Sequence, residues 1–182
     1  MAVILLGPSL NQSGVNADTK LNIFESRSAL VLSENEPVEE QELERQKIAQ
    51  VISSVIGWAK DKSLDIFFNA IAHDEDYISV TPGKRVIRRF EDVKQNIPFW
   101  MSPEFKYVRH ELKELEIKFA RCGEVAWFYC VLDDINTYKG EPASWEDARW
   151  TGVVEKRVGK WVVVQQHFLF AGDRYGVIAS EE

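Results

Sequence analysis

The hydrophobic period of this chain changes once, from 3.6 to 2, and that change restricts the folds open to it. Between Val38 and about Lys60 the residues Leu43, Ile48, Val51, Ile52, Val55, Ile56 and Ala59 fall on one stripe, the mark of an amphipathic helix. Glu39, Glu40 and Glu42 stand in its first turn, where carboxylates suit the positive end of the helix dipole. Ser63 is placed to cap a second, short helix over 64–71, with Asp65 in its first turn. Tyr77 to Thr81 reads as a strand stopped by Pro82-Gly83, and residues 86–97 read as a third helix ending before Pro98. Further on, Leu115, Ile117 and Phe119 alternate with charges, and Val125 to Asp133 is a dense run of β-formers. Residues 149–157 and 160–170 complete the strands. Helices first and strands last, without βαβ alternation, predict an α+β fold with a mainly antiparallel sheet.

A chain of 182 residues suits one domain with a sizeable core. We assign residues 38–171 to that domain, 1–37 to a leader with a possible strand at 28–32, and 172–182 to a tail. The net charge of −7 argues against a nucleic-acid partner, which needs a basic surface. The run Lys84-Arg85-Val86-Ile87-Arg88-Arg89 reads as a solvated helix face. No apolar run approaches the roughly 18 residues of a membrane span, so no membrane partner is expected. Ala2 to Leu6 is too short for a signal-peptide core; a cytoplasmic location is expected, with a secreted or periplasmic one left open. Cys122 and Cys130 bracket one strand and would stand roughly 25 Å apart, beyond disulfide reach. His73 with Asp74, Glu75 and Asp76 lacks a second histidine at ligand spacing, so no metal is expected. No cofactor is expected either, for neither a phosphate-binding loop nor a dinucleotide fingerprint is present.

The last hairpin turns at Arg157-Val158-Gly159-Lys160. A two-residue turn would force a β-branched valine to positive φ, so a three-residue loop with only Gly159 left-handed is expected. Lys156 would then oppose Lys160, Thr151 would face Gln165, Gly152 would face Val164 and Arg149 would face His167. One face would carry Arg149, Thr151, Val153, Trp161, Val163, Gln165 and His167. The other, more apolar face would carry Trp150, Gly152, Val154, Val162, Val164, Gln166, Phe168 and Phe170, and turn towards the helices.

Three segments carry a resemblance: Val125-Ala126-Trp127-Phe128, Arg149 to Glu155, and Gly159 to Phe168 with its Gly-x-Trp and His167. Over roughly residues 40–171 the chain resembles SnoaL-like proteins of the nuclear transport factor 2-like, cystatin-like superfamily. The resemblance implies a strongly curved sheet wrapped by three helices into a cone, a pocket between them, and a homodimer through the convex sheet face. Its members include isomerases, dehydratases, cyclases and binding modules without catalysis. Isomerase-like members place a general-base Asp in an Asp-Pro context; here Thr81-Pro82 stands near that point, and a threonine hydroxyl is no base near neutral pH. Where many members read His-x-Ser at the end of the sheet, this chain has His167-Phe168-Leu169.

The resemblance and the two faces together give candidate pocket residues: Trp58, Asp65, Phe68, Phe90, Trp100, Phe128, Trp150, Gln166 and Phe168. Phe67 joins them as core or lining, and the aromatic set suits a small apolar ligand. Asp133, Arg149, Thr151, Gln165 and His167 form the alternative, an interface or polar site on the opposite face. Asp133 opposite Arg149 reads foremost as a cross-strand ion pair. The expected function is a homodimer binding a small molecule without a defined reaction. The alternative is an isomerase, dehydratase or cyclase using Asp65 or a neighbouring group with Gln166.

Overall fold

A computed structural model describes residues 36–83 and 85–170. The leader with its possible strand at 28–32, the tail, and Lys84 lie outside the described residues. Helix α1 spans Glu36–Gly57 and passes into one 3₁₀ turn at Trp58–Lys60; α2 spans Leu64–Ala70. As its sequence implies, Ser63 caps α2, its hydroxyl accepting from the Ile66 N–H at 3.4 Å. Ile48, Ile52, Val55 and Trp58 form the buried stripe of the first helix, whereas Leu43 at its start is exposed.

The expected third helix over 86–97 is two things. Val86–Arg88 is a strand, β2, pairing antiparallel with β1 (Ile78–Val80) and burying Ile87. The helical part follows as α3 (Arg89–Val93), a 3₁₀ turn (Lys94–Asn96) and α4 (Ile97–Trp100). Pro98 does not end this helical stretch. It sits in the first turn of α4, where a missing N–H costs nothing. Of the basic run, Val86–Arg88 is therefore strand rather than a helix face and Arg89 opens α3, with Arg85, Arg88 and Arg89 exposed.

The remaining strands are β3 (Phe105–Phe119), β4 (Val125–Tyr138), β5 (Glu141–Pro142), β6 (Trp145–Arg157) and β7 (Lys160–Phe170). They form one mixed, mainly antiparallel sheet in the order β2-β1-β7-β6-β4-β3, with β5 on β4; only β1 joins its neighbour β7 in parallel among the named strands. The inner face carries Ala126, Phe128, Cys130 and Leu132 from β4 and Ala148, Trp150 and Val154 from β6, all buried against the helices. Gly152 belongs to this row because nothing larger fits: a Cβ there would lie 2.5 Å from the Phe128 ring and 2.6 Å from the Gln165 carbonyl oxygen.

Helix α1 lies antiparallel along β3. Near its start the Arg45 guanidinium donates to the Ile117 carbonyl, and near its end Ser53 Oγ lies 2.9 Å from His110 Nε2. Tyr107 holds the other ring nitrogen of His110 at 2.9 Å, and Gly57 lets that ring approach the helix, since a Cβ would come within 2.8 Å of it. Glu44 ties the helix to the β6–β7 hairpin, accepting from Trp161 Nε1 at 2.6 Å and meeting Lys156 Nζ at 2.8 Å. Lys156, then Lys47, holds its carboxyl down at about 2.

The hairpin corrects the expected loop. Val158 and Gly159 both have positive φ, 50° and 76°, so the turn has two residues and Arg157 pairs with Lys160. Val158 tolerates this because its side chain is fully exposed, leaving only the intrinsic strain of a β-branched residue. A register shift follows: Val154 pairs with Val163 but Val153 with Gln165, leaving Val164 as the extra residue. Trp161 and Val163 consequently lie on the inner face, not the outer one, while Val162 lies opposite Glu155 on the outer. Gly152 faces Gln166, Thr151 faces His167 and Arg149 faces Leu169, each two residues from the expected partner.

Replacing Val158 by Asn removes a disfavoured left-handed valine without disturbing any packed group. Val158→Asn should raise stability by about 1 kcal/mol, measured by urea denaturation at unchanged m-value.

Candidate functional site

A 22-residue helix rises about 33 Å, whereas strands of 14 or 15 residues reach nearly 50 Å. The sheet therefore outruns α1. Where the helix gives way to the 3₁₀ turn, a cavity of about 460 Å³ opens between Val55, Ile56, Trp58 and Ala59 and the far ends of β4 and β7. Phe67 from α2, Phe99 and Trp100 from α4, and Phe105 wall one side; Trp145 and Phe168 wall another. Trp58, Phe67 and Trp100 form an interlocked aromatic cluster, with ring centroids 5.0 to 5.8 Å apart.

A polar strip crosses this apolar lining. It consists of Tyr77 and Ser79 near β1, Asp134 and Asn136 on β4, Ser144, and Gln166 on β7. Gln166 Nε2 donates to the Tyr77 hydroxyl at 2.8 Å, and burial pushes that phenol up to about 12, so it stays protonated. Ser144 Oγ accepts from the Asn136 N–H and donates to the Asn136 carbonyl, each at 3.0 Å, pinning the strand where the cavity begins. The Asn136 side chain beside the Asp134 carboxylate favours its ionised form. Among the described residues, Asn136 Oδ1 and Gln166 Oε1 are buried without a hydrogen-bond partner.

Asp134 is the chemically distinctive group. Burial in the apolar cavity raises its carboxyl from the ordinary 3.8 to about 6, and the Asn136 contact offsets this only in part. Its position follows from strict alternation along β4, where Ala126, Phe128, Cys130, Leu132, Asp134 and Asn136 all point inward. The expected strand stopped one residue short, at Asp133, and Asp134 was missed; carrying the alternation on by one residue finds it. β4 runs on to Tyr138 and β6 begins at Trp145, with β5 (Glu141–Pro142) between them.

Of the candidate pocket residues, Trp58, Trp100, Gln166 and Phe168 line the cavity. The other five lie off it. Asp65 is exposed on the outer side of α2. Phe68 and Phe90 pack on one another and on His73, which stacks on Phe90 at 4.0 Å. Phe128 and Trp150 face inward further along the sheet, where the helices cover it, and are core. Thr81 reaches the cavity, but its hydroxyl donates to the Arg85 carbonyl at 2.9 Å.

Arg149, Thr151, Gln165 and His167 lie on the outer face, with Asp133. Asp133 is not opposite Arg149: β4 and β6 pair two residues away from that register, and Arg149 faces Val131. It accepts instead from the Asp147 N–H at 2.9 Å and meets Lys113 at 3.1 Å, and these contacts, the N–H first, hold its carboxyl below the usual range. Both cysteines are free thiols; Cys130 is buried, and burial pushes it up to about 12. Among the described residues no cluster of His, Cys, Asp or Glu could hold a metal ion, and no helix is long and apolar enough to cross a membrane.

A family model for SnoaL-like domains matches residues 48–171. The chain belongs to that family. Solved structures agree on the fold of this SnoaL-like domain. A nuclear transport factor 2-like protein from Cytophaga hutchinsonii aligns over 70% of this chain and 98% of its own, at 10% identity and a TM-score of 0.56. A protein of unknown function from Mycobacterium tuberculosis aligns over 80% and 84%, at 15% identity and a TM-score of 0.62. A Novosphingobium aromaticivorans protein provisionally described as a scytalone dehydratase aligns over 71% and 86%, at 13% identity and a TM-score of 0.60. No curated protein matches significantly in sequence.

The raised carboxyl of Asp134 sets a pH-dependent stability. A carboxyl that holds its proton more tightly in the folded state contributes stability fully below 3.8 and loses it as pH rises through about 6. Asp134→Asn should therefore melt higher than wild type at pH 8, by on the order of 1–3 kcal/mol, with the advantage vanishing near pH 4.

Proposed function

We propose that this SnoaL-like domain binds one small, mainly apolar molecule in its cavity, and that Asp134 exchanges a proton with it. The carrying observation is a carboxyl raised to about 6 inside an aromatic-lined cavity of about 460 Å³. A volume of that size suits a ligand of one to three rings. At neutral pH Asp134 is an ionised carboxylate in surroundings that favour its protonation, the state a general base needs. Tyr77, kept protonated, is available on the same wall as a hydrogen-bond donor. Proton abstraction next to a carbonyl, as in isomerisation or dehydration, is the reaction class that suits this pair. The scytalone dehydratase description of one structural neighbour fits that class, by analogy of fold only. Asp134 thus takes the role that the sequence offered to Asp65. The second reading is binding without chemistry.

The two readings separate on a simple carbonyl probe. Exchange of the α-protons of 2-tetralone into deuterated buffer, followed by NMR, should be accelerated by the wild type, with a rate that rises through about pH 6. Asp134→Asn should abolish the acceleration. Exchange no faster than in buffer, with 2-tetralone still bound, would leave the binding reading alone.

We also propose a homodimer through the outer sheet face, in keeping with the family. Trp127 and Leu169 stand half-exposed there beside Arg149, Thr151 and His167, an apolar and polar mixture suited to an interface. Light scattering should give twice the chain mass for the wild type and a monomer for Trp127→Arg; a wild-type monomer would reject the dimer.

A further inference from the structure

We infer that the cavity selects ligands carrying hydrogen-bond donors and refuses anions. This rests on the reading that the cavity binds a small molecule and specifies what that molecule presents. Asn136 and Gln166 are 4% and 5% exposed, line the cavity, and each leaves its side-chain carbonyl oxygen unpaired among the described residues. The Gln166 amide nitrogen is already committed to the Tyr77 hydroxyl at 2.8 Å, and the Asn136 side chain lies beside Asp134. Beside the Tyr77 hydroxyl as donor, the unpaired groups of the polar strip are acceptors: the two amide oxygens, with the Asp134 carboxylate between the same walls.

Buried acceptors without partners are costly, and a ligand hydroxyl that meets one removes the cost, whereas an ether of the same shape leaves it in place. The lining holds no Lys, Arg or His, and its one ionisable carboxyl is of the wrong sign for an anion. A carboxylate or phosphate ligand would bring a second negative charge into an apolar cavity beside Asp134. The ligand class is a compact ring system bearing one or more hydroxyl or N–H groups along one edge and no anionic group.

A matched series tests this on the wild-type protein at pH 8, read by quenching of tryptophan fluorescence and by calorimetry: 4-phenylphenol, 4-methoxybiphenyl and biphenyl-4-carboxylate. The phenol should bind at least tenfold more tightly than the methyl ether, and the carboxylate should not bind measurably. Gln166→Met and Asn136→Leu, measured separately, should each narrow the phenol-to-ether ratio, so that failure of one variant to fold leaves the other. Equal affinities for phenol and ether, or binding of the carboxylate, would overturn the selectivity while leaving the cavity as a binding site. Binding of none of the three would overturn both.

Discussion

The structure depends on a mismatch of length between the first helix and the sheet it covers. Ile48, Ile52 and Val55 bury one face of α1, and contacts from Arg45 to Ile117 and from Ser53 to His110 hold it along β3. The helix then ends, while β3 and β4 continue beyond it. Over the covered length the inner face is Ala126, Phe128, Cys130 and Leu132, all apolar and buried. Beyond it the same face presents Asp134 and Asn136. The inward positions become polar where the helix stops, and the α4 aromatics with β5 enclose the gap without filling it. Core and cavity are two stretches of one strand face, distinguished by what lies above them.

The period change was enough to read the class of the fold. Apolar stripes at helical spacing gave α1 and its buried residues, Ser63 marked the start of α2, and the β-formers from Val125 onward gave the antiparallel strands. The errors arose where a local preference competed with pairing. Val86 and Ile87 complete a helical pattern on paper, but β1 offers an edge on which they pair and bury Ile87. Val158 resists positive φ, yet a two-residue turn lets ten residue pairs of β6 and β7 form, and an exposed valine loses nothing else by adopting it. The shorter turn and the extra residue Val164 each move the register by one. Their effects on facing cancel beyond Val164, which is why Gln166 and Phe168 point inward as expected, whereas Trp161 and Val163, expected on the outer face, lie on the inner one.

The site was less legible, for a physical reason. A cavity is a failure of complete packing, and periodicity cannot distinguish an inward aromatic that touches another element from one that touches space. Phe128 and Trp150 share their face with Phe168, but they lie under the helices and became core. Phe68 and Phe90 found partners in each other and in His73. Asp134 was legible in principle, because alternation from Leu132 leads to it. Its neighbour Asp133 reads from the sequence as the partner of Arg149, but β4 and β6 pair two residues away from that register, with Arg149 opposite Val131.

Asp133 and Asp134 show how far one step along a strand changes chemistry. Their side chains leave the sheet on opposite faces. Asp133, on the outer face, finds the Asp147 N–H and the Lys113 ammonium, both of which favour its ionised form, and its carboxyl is lowered. Asp134, on the inner face, meets aromatic rings and a single amide, and its carboxyl is raised to about 6. The first is a structural charge, satisfied by its surroundings and therefore unreactive. The second is ionised at neutral pH in a setting that pushes it towards protonation. Two identical residues thus divide between an ion pair on the outer face and a raised carboxyl in the cavity wall, and alternation along β4 decides which is which.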